Sequence, residues 1–285
     1  LLWNLSIIFA LSIMAWLVSN SNQALTVTLQ SLNMWWNEWL PLWFSALFLT
    51  YFMLLSNMIH TICQMFRISP VKQLMIECLL TGSPVMATVI IRAIKNGILT
   101  HKQAGIFVAC TFSLPPLWLI TFISSLPTLS AFEKLILLIS HYLSLFCLLV
   151  FFAILYDKKI SRIFSSPTIS IGQSLSETTI AAGTISLWNG ALMLFFGILL
   201  AMLQSIAPTL DFWLRPIADV SLGFFNRESM TLTMLAIMIA WGGLSAQLLI
   251  KMKLMMVPIR YAWFVLIRVA HICLSLAILQ CLMLL

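Results

Sequence analysis

"QLMIECLLTGSPVMATVIIRAIKNG" (residues 73–97) is apolar enough to enter a membrane, yet it carries Thr81-Gly82-Ser83-Pro84 at its centre. Glycine and proline interrupt helices. In lipid the freed amide and carbonyl groups find no water, so other protein groups must pair them or they must line a hydrated cavity. The flanks are basic on both sides: Arg67 and Lys72 precede the break, and Arg92, Lys95 and Lys102 follow it. Basic loops collect on the cytoplasmic side, so residues 73–95 are expected to form a re-entrant hairpin that enters and leaves by one face. Each arm holds roughly ten residues, about 15 Å of helix, which is half the hydrocarbon core. The other reading of these residues is a kinked full span with one basic flank outside.

Composition sets the same environment. Of 285 residues, 62% are hydrophobic and 8% charged, against about 25% charged in a soluble domain. The mean hydropathy is +1.06, and no charge occurs from Leu1 to Asn37. These values exclude a soluble enzyme. The net charge of +7 does not point to nucleic acid, because the basic residues sit in short loops between spans. Cys63, Cys78, Cys110, Cys147, Cys273 and Cys281 are scattered without a CxxC and read as small buried hydrophobes. His60 and Cys63 lack a second pair to complete a metal site. No metal or cofactor is expected.

Apolar runs place spans at 2–18, 39–61, 104–126, 133–156, 179–206, 230–250 and 261–284, beside the interrupted segment 73–92. The expected fold class is an all-α polytopic membrane protein with about seven membrane helices and at least one re-entrant hairpin. Residues 1–38 would hold a retained first helix and an outer loop, and 39–156 a first half with the hairpin at 73–95. Residues 157–178, opening with "DKKISR", would be a cytoplasmic linker, and 179–285 a second half. This arrangement puts eleven of the fifteen Lys and Arg inside, the N-terminus in the cytoplasm and the C-terminus outside. Asp211, Arg215, Asp219, Arg227 and Glu228 fall in an outer stretch, and Trp35, Trp36, Trp39 and Trp43 in an outer aromatic belt.

Three other apolar runs carry helix breakers: "CTFSLPPLW" (110–118), "SLWNGALM" (186–193) and "AWGGLSAQLL" (240–249). Each alone could serve close helix packing. Together with Gly82-Ser83-Pro84 they suggest discontinuous helices meeting near mid-membrane, where many secondary transporters build a substrate site.

The stretch "LLTGSPVMATVIIRAIKNGILTHKQAGIFVACTFSLPPLWLI" (79–120) resembles the core of the nucleoside-recognition, or Gate-domain, membrane proteins, in particular a branch named for a sporulation integral membrane protein. Gly82-Ser83-Pro84-Val85-Met86-Ala87 is similar to that branch's Gly-Tyr-Pro-x-Gly-Ala element, and residues 96–104 to its basic connector. "WGGLSAQ" (241–247) and "RYAWFVLIRVAHICLSLAIL" (260–279) resemble its Gly-Gly-Leu-Ser and Arg-x-x-His elements. Met86, Thr111-Phe112, Leu114 and "GFFNRESM" (223–230) depart from the pattern. The resemblance implies a fold distantly related to concentrative nucleoside transporters, with two inverted halves and re-entrant hairpins. One branch is associated with export of a small aromatic dicarboxylate during spore formation, but several of the polar residues that would read a substrate differ here, so specificity does not carry over.

Thr81, Gly82, Ser83, Pro84, Thr111, Ser113, Asn189, Gly242, Gly243, Ser245, Gln247 and Arg268 are therefore the candidate solute-binding residues. Arg268 and His271 share a helix face, and Arg268 could equally clamp a carbonyl. Glu77, one turn before the first break, is the candidate for ion coupling, against a bland role paired with Lys72 or Lys102. Ser174 and Glu177 have capping-box spacing at a helix start, and His141 reads as an interior histidine. No HExxH, GxSxG, phosphate loop or paired intramembrane aspartate is present, so an enzyme is not expected. The leading reading is a permease for a small polar or anionic solute in a bacterial inner membrane. The alternative is a Gate-domain scaffold that no longer transports. The partners on these readings are the solute, membrane lipid and a second copy or another membrane protein, not nucleic acid.

Overall fold

The computed structural model describes residues 2–156, 170–223 and 230–284, and every regular element in them is helical. Six helical stretches are long and apolar enough to cross a membrane: Ser21–Leu55, His101–Ser124, Ala131–Ile154, Ile171–Ile206, Leu232–Lys253 and Tyr261–Met283. The chain is an all-α polytopic membrane protein. The "DKKISR" segment of the linker, Arg227 and Glu228 lie outside the described residues.

In chain order α1 (Leu2–Ser19) leads into α2 (Ser21–Met34), which runs through a π-helical turn at Trp35–Trp39 into α3 (Leu40–Leu55). A short α4 (Met58–Met65) follows. Then come two broken units, α5 (Pro70–Thr81) with α6 (Met86–Lys95), and α7 (His101–Thr111) with α8 (Pro116–Ser124). The long α9 (Ala131–Tyr156) and α10 (Ile171–Ile206) precede two more: α11 (Asp211–Ala218) with α12 (Val220–Gly223), and α13 (Leu232–Trp241) with α14 (Leu244–Lys253). The long α15 (Tyr261–Met283) closes the described order.

Local chemistry explains the boundaries. Pro70 occupies the first turn of α5, where no amide partner is needed. Thr100 and Gln103 form a capping box at the start of α7, with the Thr100 amide donating to Gln103 Oε1 at 2.9 Å. Pro115 and Pro116 end that helix, since neither has an amide to continue it. Thr231 accepts the Met234 amide at 3.3 Å to start α13, and Gly242, in the left-handed region, ends it.

Several expectations are corrected. Residues 21–38, expected in an outer loop, are helical and continuous with the next span. Trp35, Trp39 and Trp43 are buried, and only Trp36 (60% exposed) faces outward, so there is no four-residue belt. Trp39 stacks on Trp118 at 4.7 Å and Trp118 on Phe122 at 5.0 Å, because flat apolar rings fill the space that converging half-helices leave. The helix is unbroken through Asn189-Gly190. Gly190 is there for close approach, as a Cβ would meet Trp35 Cε2 at 2.5 Å. The start of α10 also lies before Ser174: Ser170 caps it, accepting the Gln173 amide at 3.2 Å.

The tightest backbone crossing is at the first break. Gly82 has φ +60°, and a Cβ there would sit 2.6 Å from the Pro115 nitrogen. Replacing Gly82 with alanine should therefore cost about 2–4 kcal/mol, from the unfavourable dihedral and the clash with backbone. Thermal unfolding of protein purified in detergent measures this, with Gly172→Ala, which meets nothing within 4 Å, expected to behave as wild type.

Candidate functional site

The four breaks in the described residues pack in two pairs. In the first, Gly82 lies on Leu114 and Pro115, and the Ser83 amide donates to the Ser113 carbonyl at 2.6 Å. The two breaks thereby satisfy one another where water would otherwise be needed. In the second, a Cβ on Gly243 (φ +72°) would meet the Val220 nitrogen at 3.0 Å and Asp219 Cα at 3.2 Å. Gly242 sits against the Phe112 ring and joins the pairs.

Between the pairs lies a cavity of about 20 Å³, room for one water-sized body. Ser83 and Pro84 reach it from the first break, Leu114 from the second, Asp219 and Ser221 from the third, and Gly242 and Ser245 from the fourth. Asn189 enters from α10, and Trp39 and Trp43 wall one side from α3 and the turn before it. The lining is mixed: Ser83, Asn189, Asp219, Ser221 and Ser245 bring polar groups among apolar neighbours that include Val220, Ala246 and Leu249. Asp219 is 1% exposed. Its Oδ1 accepts the Ser221 amide at 2.6 Å, while Oδ2, Ser83 Oγ and Ser113 Oγ are buried without a hydrogen-bond partner.

Of the candidates from sequence, Ser83, Pro84, Asn189, Gly242 and Ser245 thus gather at one place, with Gly82, Ser113 and Gly243 in the backbone packing beside it. Thr81 and Thr111 turn their hydroxyls onto their own helices, to Glu77 O at 2.7 Å and Phe107 O at 2.8 Å. Gln247 lies apart: it donates to Trp241 O at 3.2 Å, accepts from Tyr261 Oη at 3.1 Å, and faces a separate cavity of about 380 Å³ beside Phe195 and Phe264. Glu77 is buried in α5, accepts from Gln73 Nε2 at 2.8 Å and lies in the field of Arg92 from α6, rather than beside Lys72 or Lys102. Gln73 in turn bonds His60 of α4.

Arg268 is fully buried and takes the carbonyl-clamp role. Its guanidinium donates to Phe112 O at 2.5 Å, Ala109 O at 3.3 Å and Ala240 O at 2.8 Å, and contacts His271. These carbonyls end α7 and α13, where the helix dipole is negative. The Phe112 ring lies 5.2 Å from the guanidinium carbon. Asp219, Trp39 and Trp43 were missed by sequence reasoning. A lone acid inside "IADVSLGFF" (217–225) was the available signal for Asp219, since Asp is a favoured helix cap.

The chain matches no family model, no curated protein and no solved structure.

Arg268→Met should leave the carbonyls of Phe112 and Ala240 without their donor and cost about 2–6 kcal/mol, at 1–3 kcal/mol for each buried orphan. Arg268→Lys, which keeps one point donor, should recover part of this loss. Thermal unfolding in detergent reads both; an unchanged midpoint for the methionine variant would contradict the clamp.

Proposed function

We propose that the chain is a secondary transporter, or permease, that carries a small polar or anionic solute across a membrane at the meeting point of the four breaks. The observation that carries this reading is the cavity itself: irregular backbone from four places converges on it, and the Ser83 hydroxyl and one Asp219 carboxylate oxygen are buried there without a hydrogen-bond partner. Non-helical backbone at membrane depth is tolerated where it is packed by protein or lines such a site. The N-termini of α6 and α14 open at the breaks and present the positive ends of their dipoles, which suits an anionic group. The resemblance to Gate-domain proteins agrees with this assignment.

On this reading α5 and α6 are the arms of a re-entrant hairpin. They pack against each other, and Glu77 in one feels Arg92 in the other, which a straight kinked span would hold apart. The order long helix, broken pair, broken helix, long helix also recurs. It runs α3, α5–α6, α7–α8, α9 and then α10, α11–α12, α13–α14, α15, as two inverted halves would give. The positive-inside rule applied to the basic flanks supports a cytoplasmic side for the hairpin ends and the N-terminus, and the proposed setting is a bacterial inner membrane.

A second reading, a scaffold that no longer transports, draws on how tightly the tips are closed. Met86, Phe112 and Leu114 are buried, and the cavity admits only one water-sized body. A permease must therefore part the two pairs of breaks to admit a solute.

Two measurements test these readings. Single cysteines replacing Ser69 and His101, both exposed, in a cysteine-free background should react with an impermeant thiol reagent from the same membrane side. Opposite sides would overturn the hairpin. In proteoliposomes assayed with a panel of small carboxylates and nucleosides, Ser83→Ala should weaken apparent affinity for the transported member by about 1–3 kcal/mol, roughly 5- to 150-fold. Wild-type transport by a Ser83, Asn189 and Ser245 triple-alanine variant would remove the site. Uptake of no panel member by the wild type would favour the scaffold.

A further inference from the structure

Two buried oxygens at the cavity stand ready for a ligand that the protein does not supply. Asp219 Oδ1 is used by the Ser221 amide, but Oδ2 has no partner. The groups acting on this carboxylate are the hydroxyls of Ser221 and Ser245 and the amides of Ser221 and Leu222, all neutral. Ser83 Oγ, lining the same cavity from the other pair of breaks, is likewise buried and unpartnered. Asn189 adds a side-chain amide to the lining. The buried guanidinium of Arg268 is committed to the carbonyls of Phe112 and Ala240.

An ionised carboxylate out of water costs several kcal/mol unless a positive charge or enough donors compensate it. We propose that this cavity binds one monovalent metal cation of about sodium's size, held by Asp219 Oδ2 with oxygens of Ser83, Ser245 and Asn189. The volume of about 20 Å³ suits one such ion. A single carboxylate balances a single charge, whereas a divalent ion would leave a net charge in a low-dielectric interior. The donors are all oxygen, which suits a hard cation and not a soft metal. A proton on Asp219 would answer the carboxylate alone and leave Ser83 Oγ and the space beside it unused. The ion would join the first pair of breaks to the second, and this binding does not depend on whether the chain moves a solute.

The test uses the full chain purified in detergent, with sodium chloride exchanged for choline chloride at constant ionic strength. The unfolding midpoint should rise with the logarithm of sodium concentration, as one ligand bound only by the folded state requires. Radioactive sodium-22 should be retained at about one ion per chain, the stoichiometry of a single site. Asp219→Asn should abolish both effects. Ser83→Ala or Ser245→Ala should raise the sodium concentration for half-effect by about tenfold, and these two carry the test if the Asp219 variant does not fold. Glu177→Gln, on the exposed face of α10, should keep the full response. Equal midpoints in sodium and choline with no retained sodium-22 would overturn the site, and so would a full sodium response from Asp219→Asn. Sodium binding by a wild type that transports nothing would uphold this site while removing the permease reading.

Discussion

Arg268 reaches from the middle of α15 to the last carbonyls of two broken helices, Phe112 O at 2.5 Å and Ala240 O at 2.8 Å. A helix that stops inside a membrane leaves carbonyls with no amide to receive and no water to substitute. One guanidinium, with its fixed fork of donors, serves both ends at once. The other sides of the breaks are closed by backbone: the Ser83 amide meets Ser113 O at 2.6 Å, and Gly82 and Gly243 bring chain onto chain with no side chain between. Remove the cation and the breaks would have to be rebuilt as continuous helix or pulled toward the surface. Where the breaks meet, the Ser83 and Ser113 hydroxyls and one Asp219 carboxylate oxygen are left without a hydrogen-bond partner.

Lipid gives apolar side chains no reason to prefer one another over acyl chains, so contact quality and polar pairing hold such a bundle together. The interior reflects this. Aromatic rings of Trp39, Trp43 and Trp118 fill the wedge between α3 and α8, where half-helices splay away from the breaks. The Lys253 ammonium at the end of α14 donates to Tyr51 Oη of α3 at 2.5 Å. The Trp39–Trp118 stack and the Lys253–Tyr51 bond each join elements far apart in the chain.

What the sequence made legible was the local chemistry of chain breaking. Gly82-Ser83-Pro84, Pro115-Pro116 and Gly242-Gly243 each combine a left-handed or amide-lacking residue with an apolar context, and each ends a helix where expected. Asn189-Gly190 has the same letters and does not break. A glycine inside a helix can answer either a backbone need or a neighbour's bulk, and the neighbour, Trp35, lies far off in sequence. The tryptophans misled for a related reason: an amphipathic ring belongs at an interface only if the fold leaves it there, and convergence with Trp118 buried three of the four. Asp219 was hidden by counting. Set among Arg215, Arg227 and Glu228 it looks like part of a solvated loop, but its carboxylate caps α12 through the Ser221 amide and is drawn inside with it.

The seat of Trp35 on Gly190 links two spans by size alone. The indole fills the space a Cβ would need, with Cε2 2.5 Å from that point, and the π-helical turn beginning at Trp35 sets the ring's angle of approach. Neither residue can enlarge without the other shrinking. Across sequences descended from a common ancestor, the two positions should therefore co-vary: a larger residue at 190 is compatible only with a smaller one at 35, and loss of the indole frees 190 from glycine. The constraint joins α10 to the π-helical turn before α3, so exchange of either segment between diverged relatives would preserve each local helix and still fail at this one joint.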